Sequence, residues 1–403
     1  MRPLKILMLA PEPFFEPRGT PFSEYHRIKA LVELGHQIDL VTYPIGADVE
    51  LPNLRIIRSA RPPFVRRIRV GPSFPKVLLD ACLAFTAWRQ TSRDRYDLIH
   101  SHEEAGALGV FLARRAGIPH VYDMHSSLPQ QLSNFRYTRS RLVKKAFEIM
   151  ERWTIAGSDV IVTICQDLQD RVTELGAGER AVLIENVMGG DVEDPPTLTP
   201  AEIRRRWQIG DTAPVVLYTG TLEPYQGIDL LFEAAAIVGR TNPAMRLLVA
   251  GGRPDQIELA RATADRLGAP AVFVGHQPAR EVPAFIQTAD ILASPRISGT
   301  NTPLKIYSYL RSGKPIVATD LLTHTQVLDR ETALLVAPDA VPFAQAIQQL
   351  LDDPVRRERL ARAASDRARA RYSRDVYVAR TRHVCDRLDR RASYTRVAAV
   401  PRA

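Results

Sequence analysis

The stretch SPRISGTNTPLKIYSYLRSGKPIVAT, residues 294–319, is the most informative part of the chain because it reads as a loop, a helix and a strand in turn. Thr302 suits the N-cap of a helix, Pro303 its first position, and Gly313 its end. Free backbone N–H groups at a helix N-terminus favour a bound phosphate. We therefore predict a helix–strand unit with an anion site on the amides of residues 299–302. An ordinary helix–strand unit without a ligand is the alternative.

Two predicted helices carry further polar candidates. Lys305 and Ser308 are three residues apart on the helix described above and therefore project from one face. Near the N-terminus, Thr20 and Pro21 repeat the cap-then-proline start directly behind Gly19. A lone glycine in such a loop often serves the turn alone. Two such helix starts, one in each half of the chain, indicate a ligand site, because open α/β sheets bind ligands where helix N-termini converge.

The composition is that of an ordinary globular protein. With 403 residues, 45% of them apolar and 25% charged, the chain has the length of about two or three domains. No apolar run reaches the ~18 residues of a membrane span, and ILMLA runs into PEPFF without a cleavage site, so we expect a cytoplasmic protein. The cysteines are odd in number and far apart, which argues against a disulfide framework or a zinc site: Cys82, Cys165 and Cys385.

The net charge of +9 is unevenly distributed. Between Leu51 and Leu79 the chain has no acidic residue and seven basic ones: Arg55, Arg58, Arg61, Arg66, Arg67, Arg69 and Lys76. The apolar stretch VLLDACLAFTAW overlaps the end of this segment, and this composition predicts peripheral contact with an anionic membrane at its inner face. A solvated basic loop followed by a core helix is the alternative. Nucleic acid is not expected, because aromatic residues are not interleaved with the basic ones.

Strands and helices alternate along the whole chain, which is typical of doubly wound parallel sheets. We predict strands at residues 4–10, 37–43, 54–58, 97–101, 119–123, 159–163, 181–185, 215–220, 245–252, 271–276, 290–295, 316–318 and 333–338. A polar stretch with prolines follows Asn186 and predicts a linker. The expected organisation is a first domain at 1–187, a linker at 188–212, a second domain at 213–370, and C-terminal helices at 371–403 that can return to the first domain, with a disordered basic tail after Arg387.

Seven segments in order carry a resemblance to a known family. They are RGTPFSEYHRIKALVELGH, YDLIHSHEEAGALG, GIPHVYDMHSSLPQ, LYTGTLEPYQGIDLLFEA, LLVAGGRPD, FVGHQPAREVPAFIQTADILASP and TPLKIYSYLRSGKPIVATD. The chain resembles the family 4 glycosyltransferases of the GT-B fold, an α/β architecture of two facing Rossmann-like domains with parallel sheets. The resemblance implies a hexosyltransferase-type enzyme that uses a nucleotide-sugar donor, with retention and without a metal or other cofactor. It implies a glycan or lipid-linked acceptor in cell-surface polysaccharide or glycolipid synthesis.

The resemblance also assigns roles to residues of the first domain. It implies that Gly19 and Thr20 approach the donor phosphates and the acceptor, and that His125 contacts the donor sugar near the reacting centre. A core or capping histidine is the alternative for His125. We expect His100 and His102 to be structural, one facing each side of a strand end.

Four charged groups that many family members carry are absent from this chain. Thr221 and Gln226 stand where many members have an Arg and a Lys that hold the diphosphate. Thr300 and Ser308 stand where many have two glutamates. We interpret this as a coordinated replacement that keeps a polar ligand site, because unpaired buried charge is costly.

The predicted site combines both halves of the chain. The catalytic residues are His125, Gly19 and Lys305, and Lys305 is expected to supply positive charge next to the leaving diphosphate, with Arg253 and Arg296 as further candidates. Glu223 is the carboxylate expected near the sugar, or else an exposed loop glutamate. The donor-binding residues are Thr20, Gly220, Thr221, Glu223, Gln226, Arg253, His276, Gly299, Thr300, Asn301, Thr302 and Ser308.

Two other functions remain open on the sequence. A catalytically silent GT-B protein that binds a partner glycosyltransferase or a glycan would explain the loss of four charged groups. A nucleotide-sugar epimerase of similar architecture is disfavoured, because no pair of carboxylates is visible for proton abstraction in the cleft loops.

Overall fold

The computed structural model describes residues 2–15, 19–63, 65, 74–129, 140–187 and 195–398. The chain forms two compact units, and each is described by itself. Unit 1 comprises Met1–Asn186 together with Asp375–Ala403, and unit 2 comprises Val187–Arg374. The chain passes from one unit to the other one residue before the expected end of the first domain, because the polar stretch after Asn186 interrupts the apolar pattern.

Unit 1 contains a parallel sheet in the order β3-β2-β1-β4-β5-β6-β7. Its strands are β1 (Lys5–Ala10), β2 (Gln37–Thr42), β3 (Leu54–Arg58), β4 (Leu98–His102), β5 (His120–Met124), β6 (Val160–Thr163) and β7 (Ala181–Leu183). The central strands are buried on both faces, which explains their continuous apolar runs. Strand order reverses between β1 and β4, so the loops that follow these two strands diverge and leave a crevice at the carboxyl edge of the sheet.

Helices cover the sheet of unit 1. They are α1 (Gly19–Glu33), α2 (Phe74–Arg93), α3 (Ala105–Ala116), α4 (Arg141–Gly157) and α5 (Gln166–Glu174). Helix α3 packs against both α2 and α4, so these three helices form one continuous layer. Helix α1 begins at Gly19 and not after an N-cap at Thr20, since Gly19 has a φ of +54° and already lies in the first turn. The expected N-cap role of Thr20 is therefore wrong.

Unit 2 contains a second parallel sheet in the order β10-β9-β8-β11-β12-β13. Its strands are β8 (Val215–Thr219), β9 (Arg246–Ala250), β10 (Ala271–Gly275), β11 (Ile291–Ser294), β12 (Ile316–Thr319) and β13 (Leu334–Val336). Strand order reverses between β8 and β11. The loops after these two strands therefore form the ligand-binding position that such sheets use.

The helices of unit 2 bury one apolar core on each face of the sheet. They are α6 (Pro200–Arg206), α7 (Ile228–Thr241), α8 (Pro254–Leu267), α9 (Val282–Thr288), α10 (Lys305–Arg311), α11 (Leu322–Thr325), α12 (Ala340–Asp352) and α13 (Pro354–Arg371). Helix α6 lies within the expected linker, residues 188–212, but it is part of unit 2: its Ile203 is fully buried in the core. The Glu281 carboxylate accepts hydrogen bonds from the Thr197 and Leu198 amides, which fixes the chain before α6 to the same unit. Residues 188–194 lie outside the described residues.

The last helix, α14 (Arg374–Ala398), belongs to unit 1. Thr381 Oγ1 accepts a hydrogen bond from Arg27 Nη1 at 3.1 Å, and Arg380 Nη1 donates to Glu185 Oε2 at 2.8 Å. The helix is assigned as far as Ala398, and the expected disorder of the basic tail stays a prediction. Arginine and alanine are strong helix formers, and a chain already helical at Arg387 can propagate through such residues. Residues 399–403 of the predicted tail lie outside the described residues.

Candidate functional site

Side chains hold the loop between β11 and α10 in unit 2 by donating hydrogen bonds to its backbone carbonyls. Arg296 Nη1 and Thr323 Oγ1 both donate to the Asn301 carbonyl, at 3.1 and 2.6 Å, and Gln326 Nε2 donates to the Thr300 carbonyl at 2.6 Å. These contacts delay the start of α10 to Lys305, so Thr302 is not its N-cap, contrary to the prediction. The amides of residues 299–302 are consequently not the N-terminus of a helix. The helix N-terminus predicted at these amides is wrong, and contact of residues 299–302 with a phosphate stays a prediction.

Lys305 is the most unusual side chain of this loop region. Its Nζ is buried, lies 3.8 Å from the centroid of the Tyr218 ring, and has no hydrogen-bond partner among the described residues. Burial, together with the nearby charge of Arg296, holds the pKa of Lys305 well below its usual range. A Cβ added at Gly220 would lie 3.7 Å from this Nζ, which places the amine directly beside the backbone that follows β8. The structure therefore brings Lys305 and Gly220 together, as the sequence predicted.

Arg296 supplies a second cation at the same end of β11. Its guanidinium donates to the Ser298 carbonyl at 2.8 Å and lies 5.1 Å from the centroid of the Tyr225 ring. Burial lowers the pKa of Arg296. Gly299 is required here, because it has a φ of +112° and an added Cβ would lie 2.5 Å from Arg296 Nη2.

Two further polar atoms near this loop region are buried without a hydrogen-bond partner among the described residues, Thr302 Oγ1 and Gln226 Oε1. Thr302 is only 7% exposed. Gln226 lies in the short 3₁₀ turn after β8, directly before Gly227, whose backbone packs against the Pro295 carbonyl. Buried polar atoms normally have partners, so a group of unpartnered ones at the strand-order reversal is typical of a site that receives a ligand.

The remaining donor-site candidates are less closely grouped. Glu223 accepts hydrogen bonds from Arg253 Nη1 at 3.0 Å and from Gln256 Nε2 at 2.9 Å, so Arg253 and Glu223 neutralise one another. Arg253 also pairs with Asp255 and is largely exposed, which makes it a poor substitute for a buried phosphate-binding cation. The Thr221 side chain is exposed, and Ser308 lies one turn after Lys305 on α10. His276 is exposed after the edge strand β10, and its expected role in donor binding stays a prediction.

In unit 1, a buried carboxylate organises the residues at the ends of β4 and β5. Asp123 accepts from Arg27 Nε at 2.9 Å and lies 3.2 Å from His100 Nε2 and 3.3 Å from His125 Nε2. Burial alone would raise the pKa of Asp123, but the charges of Arg27 and His125 hold it well below its usual range. For His125 the effect of burial is outweighed by Asp123, which raises the pKa of the imidazole.

The two histidines of β4, His100 and His102, belong to the same cluster as His125. His102 Nδ1 lies 3.1 Å from His125 Nε2, and burial lowers the pKa of both His100 and His102. The rings of His100 and His102 are stacked with centroids 4.9 Å apart, so they share one side of the strand. The expectation that they face opposite sides is wrong, because residues i and i+2 of a strand point the same way.

Three glutamates complete the cluster and were missed by the sequence analysis. Glu12 and Glu24 interact through their carboxyl groups, and burial raises the pKa of both. Glu103 follows β4 with a φ of +47°, accepts a hydrogen bond from Ser126 Oγ at 2.7 Å, and burial raises its pKa to about 7. The position of Glu103 at the carboxyl end of a strand was a usable signal. No local pattern indicates that Glu24, on a helix, is buried against these residues.

Three of these side chains have the atoms to hold a metal ion. Ligand atoms of His100, His102 and Asp123 all lie within 4.8 Å of one another. However, the guanidinium of Arg27 already occupies the same Asp123 oxygen at 2.9 Å, and a second cation beside it would be repelled. The cluster fits a carboxylate that orients histidines better than it fits a metal centre.

The described basic residues between Leu51 and Leu79 form contacts within unit 1 and are not left free for a membrane. Arg55 pairs with Asp39 and Asp94, and Lys76 pairs with Glu104. Arg58 Nη1 donates to three backbone carbonyls within unit 1. Arg66, Arg67 and Arg69 lie outside the described residues. The described cations of this segment therefore stabilise the fold, and the predicted membrane contact has little support from them. Within the described part of the chain, no helix is both long and apolar enough to cross a membrane.

The two units correspond to two known domain families. A glycosyl transferase 4-like domain matches residues 25–186, and a glycosyl transferases group 1 domain matches residues 213–353. D-inositol 3-phosphate glycosyltransferase of Corynebacterium aurimucosum is 30% identical over 287 residues, which cover 68% of each chain. The protein belongs to the family 4 glycosyltransferases, as its sequence predicted, and is a hexosyltransferase-type enzyme.

Solved structures confirm the predicted GT-B fold. Sucrose-phosphate synthase from Thermosynechococcus elongatus matches 96% of this chain and 99% of its own with a TM-score of 0.77 at 19% identity. Anabaena HepE in complex with UDP-glucose matches 96% and 99% of the two chains with a TM-score of 0.71 at 17% identity. At these identities the likeness concerns the fold alone.

Proposed function

We propose that this glycosyltransferase takes a sugar from a nucleoside diphosphate sugar held mainly by unit 2, and that Lys305 binds the leaving diphosphate. The observation that carries the proposal is the buried Lys305 amine without a partner, beside the backbone of Gly220 at the reversal of strand order. An unsatisfied buried donor costs about 1–3 kcal/mol, and a phosphate oxygen would satisfy it. Thr302 and Gln226 add two more unpartnered polar atoms to the same region.

Charge supports a diphosphate in preference to a neutral sugar at this position. Arg296 and Lys305 bring two basic groups to one end of β11, and no carboxylate pairs with either among the described residues. In a desolvated site, fixed positive charge stabilises the negative charge that develops on a leaving diphosphate. Anabaena HepE binds UDP-glucose, so uridine diphosphate sugars are the first donors to test. The base remains to be identified by experiment.

Unit 1 supplies the residues for the sugar and the acceptor in this proposal. His125 is held between Asp123 and His102, and the carboxylate favours a protonated imidazole that can donate a hydrogen bond to a sugar hydroxyl. Gly19 starts α1 without a side chain, and an added Cβ would meet nothing within 4 Å among the described residues, which leaves room for a ligand beside its backbone. Transfer proceeds with retention and without a metal or cofactor, as the family resemblance implies. The leaving diphosphate takes up the proton of the acceptor hydroxyl.

The proposed acceptor is a glycan or a lipid-linked sugar, in the synthesis of a cell-surface polysaccharide or glycolipid. We place the protein in the cytoplasm at the inner face of the membrane. The support for the membrane location is the apolar composition of α2, VLLDACLAFTAW, of which Phe85 and Trp88 are exposed. The acceptor stays a proposal that a transfer assay with candidate acceptors must decide.

A catalytically silent sugar- or partner-binding protein is the second candidate. It is favoured by Thr300 and Ser308, because neither can replace the charge of a glutamate near the sugar or ribose. The epimerase alternative is not proposed. Glu12 and Glu24 of unit 1 interact through their carboxyl groups, but Glu24 is fully buried on α1 and not in a cleft loop. The family matches are to glycosyltransferases throughout.

The donor site is tested by thermal denaturation of the full chain with uridine, guanosine and adenosine diphosphates and their sugar conjugates. Tight binding of one member raises the melting temperature by mass action. Lys305→Ala should remove this rise and most of the transfer activity. Lys314→Ala is the matched control, because Lys314 follows the same helix but donates only to the Gln287 carbonyl at 3.0 Å. An unchanged rise in Lys305→Ala contradicts the proposed role, and no rise for any nucleotide favours the silent protein.

A further inference from the structure

Helix α4 of unit 1 turns an apolar stripe away from the protein. Leu142, Ile149 and Trp153 lie one above the other at helical spacing and are 81, 59 and 40% exposed. Ala146 lies between them on the same stripe and is exposed as well. A helix on the surface of a globular protein normally turns its apolar side to the core. The exposed stripe is therefore a feature that the folding of unit 1 does not explain.

The opposite side of α4 faces the protein and includes a buried charge. Glu151 is completely buried, accepts hydrogen bonds from Ser127 Oγ at 2.7 Å and from the Leu128 amide at 3.2 Å, and pairs with Arg171 at 3.3 Å. These contacts fix the rotation of the helix about its axis. Leu142, Ile149 and Trp153 cannot turn inward without breaking them, so their exposure is set by specific polar contacts.

Basic residues line one side of the apolar stripe. By helical geometry, Arg141, Lys145 and Arg152 lie next to it, all three exposed. None of the three forms an ion pair within the described part of the chain. They differ in this respect from the paired cations of β3 and of the segment before α2. Free cations beside an apolar stripe are typical of helices that lie in the headgroup region of a membrane.

The neighbouring helices extend the same surface. Helix α3 packs beside α4 and exposes 55% of Phe111, and its Arg114 guanidinium lies 5.3 Å from the centroid of a Trp153 ring. Helix α2 packs on the other side of α3 and exposes Phe85 and Trp88. Together α2, α3 and α4 contain nine Lys or Arg against three Asp or Glu. The surface is apolar and positively charged at once, which suits anionic lipid better than a second copy of the same positive surface.

We propose that α4, supported by α3 and α2, binds an anionic membrane surface, with Leu142, Ile149 and Trp153 at the boundary of headgroups and acyl chains. Arg141, Lys145 and Arg152 contact lipid phosphates. This inference deepens the membrane location proposed above by assigning it to a helix outside the basic segment on which the sequence argument depended. It does not require that the donor site be functional. It would bring unit 1 to a lipid-linked acceptor without a membrane-spanning segment.

Co-sedimentation of the full-length protein with vesicles tests the proposal. Vesicles of phosphatidylcholine alone are compared with vesicles in which about one third of the lipid is phosphatidylglycerol. Binding should be strong only to the anionic vesicles and should weaken with salt. Leu142→Ser with Ile149→Ser should lower the partition coefficient at least ~10-fold, because two apolar side chains lose their place in the interface. Lys145→Glu with Arg152→Glu should abolish the preference for anionic lipid.

Two exposed apolar residues elsewhere provide matched controls. Leu259 on α8 is 73% exposed, and Val355 on the Arg-rich helix α13 is 78% exposed. Leu259→Ser and Val355→Ser should leave vesicle binding unchanged, and all variants should keep the circular dichroism and melting temperature of the parent protein. Wild-type binding retained by the Leu142→Ser, Ile149→Ser variant overturns the proposal.

The failure of this proposal can be told apart from failure of the donor site. The α4 variants should keep the nucleotide-induced rise in melting temperature, and Lys305→Ala should keep vesicle binding. If the wild-type protein does not bind anionic vesicles, the proposal of lipid binding is wrong. If it also self-associates with rising concentration, and the Leu142→Ser, Ile149→Ser variant does not, the surface is a contact between copies of this chain.

Discussion

The carboxyl edges of the two sheets have the same topology but opposite electrostatic organisation. In unit 1, buried charged groups partner one another around Asp123, through Arg27, His100 and His125. In unit 2, the buried amine of Lys305 has no such partner among the described residues. The buried charges of the first arrangement neutralise one another, whereas the second contains a buried amine without a counter-charge, which an anion would satisfy. This difference is the basis on which we propose positioning for unit 1 and diphosphate binding for unit 2.

The strongest test of the comparison removes the cation from the completed cluster. Arg27→Met leaves Asp123 buried without its main counter-charge, so the free energy of unfolding should fall by about 3–5 kcal/mol. Urea denaturation of the full chain measures it. Arg2→Met is the control, because Arg2 pairs with Asp97 at the surface and such pairs contribute about 0–1 kcal/mol. A loss below about 1 kcal/mol for Arg27→Met would show that the cluster does not depend on this pair.

In unit 2, removing the buried basic group should weaken donor binding without lowering the stability of the protein. Lys305→Met removes an unpartnered buried amine, so the ligand-free protein should be as stable as the parent or more stable by about 1 kcal/mol. Donor binding should weaken by about 1.5–3 kcal/mol, the value of a hydrogen bond to a charged group. Isothermal titration with the donor identified by thermal denaturation measures this loss. Lys314→Met is the control, and a large loss of stability without a change in donor affinity would contradict the comparison.

The effect of Glu103 on stability should depend on pH, which gives a further test of the buried charges of unit 1. Its folded-state pKa of about 7 lies above the value of 4.5 for an exposed glutamate. The folded protein therefore binds an extra proton between about pH 4.5 and 7, and the cost of the buried carboxylate is fully present above pH 7. Glu103→Gln should accordingly stabilise unit 1 by about 2–3 kcal/mol at pH 8 and have little effect at pH 4. Urea denaturation at both pH values checks this, and equal effects at pH 4 and 8 would be inconsistent with it.

The smallest expected effect concerns the glycine beside Arg296. Gly299→Ala places a Cβ about 2.5 Å from Arg296 Nη2 at a φ of +112°, so the guanidinium must move and the loop must strain by about 1–2 kcal/mol. Donor affinity should fall, since Arg296 holds the loop through the Ser298 and Asn301 carbonyls. Gly268→Ala is the control, with a φ of +69° and open space around the added Cβ. A fall in melting temperature of the same size in both, with unchanged donor affinity, would remove Arg296 from the site.

The sequence predicted the architecture because the relevant signals are local. Apolar runs and glycines set the strands, and most predicted strand ends lie within one or two residues of the observed ones, as for β3 at 54–58. The start of α10 was missed because the Asn301 carbonyl accepts from Arg296 within the loop and from the distant Thr323, and local capping rules include neither bond. The residues of the candidate site were also only partly predictable. The sequence places Lys305 on the helix that follows β11, at the carboxyl edge of the sheet. The burial of Glu24, in contrast, depends on the packing of a whole helix.

Helix α4 shows a further limit of sequence reasoning. Its apolar stripe can be read from the spacing of Leu142, Ile149 and Trp153, and the usual rule would place that stripe in the core. The rotation of the helix is instead decided by Glu151 and its contacts with Ser127 and Arg171. Only a structure shows which side faces outward. A strong amphipathic pattern therefore identifies a helix that must bury a face, but not the environment that buries it.

The return of α14 to unit 1 has a consequence for the biosynthesis of the chain. Arg27 and Asp123 leave the ribosome before unit 2, but Thr381, which accepts a hydrogen bond from Arg27, emerges only after it. Unit 2 is continuous in sequence from Val187 to Arg374 and can fold before α14 emerges. The N-terminal unit is thus completed after the unit that follows it, and until α14 is released Arg27 has its Asp123 partner but lacks the Thr381 hydroxyl.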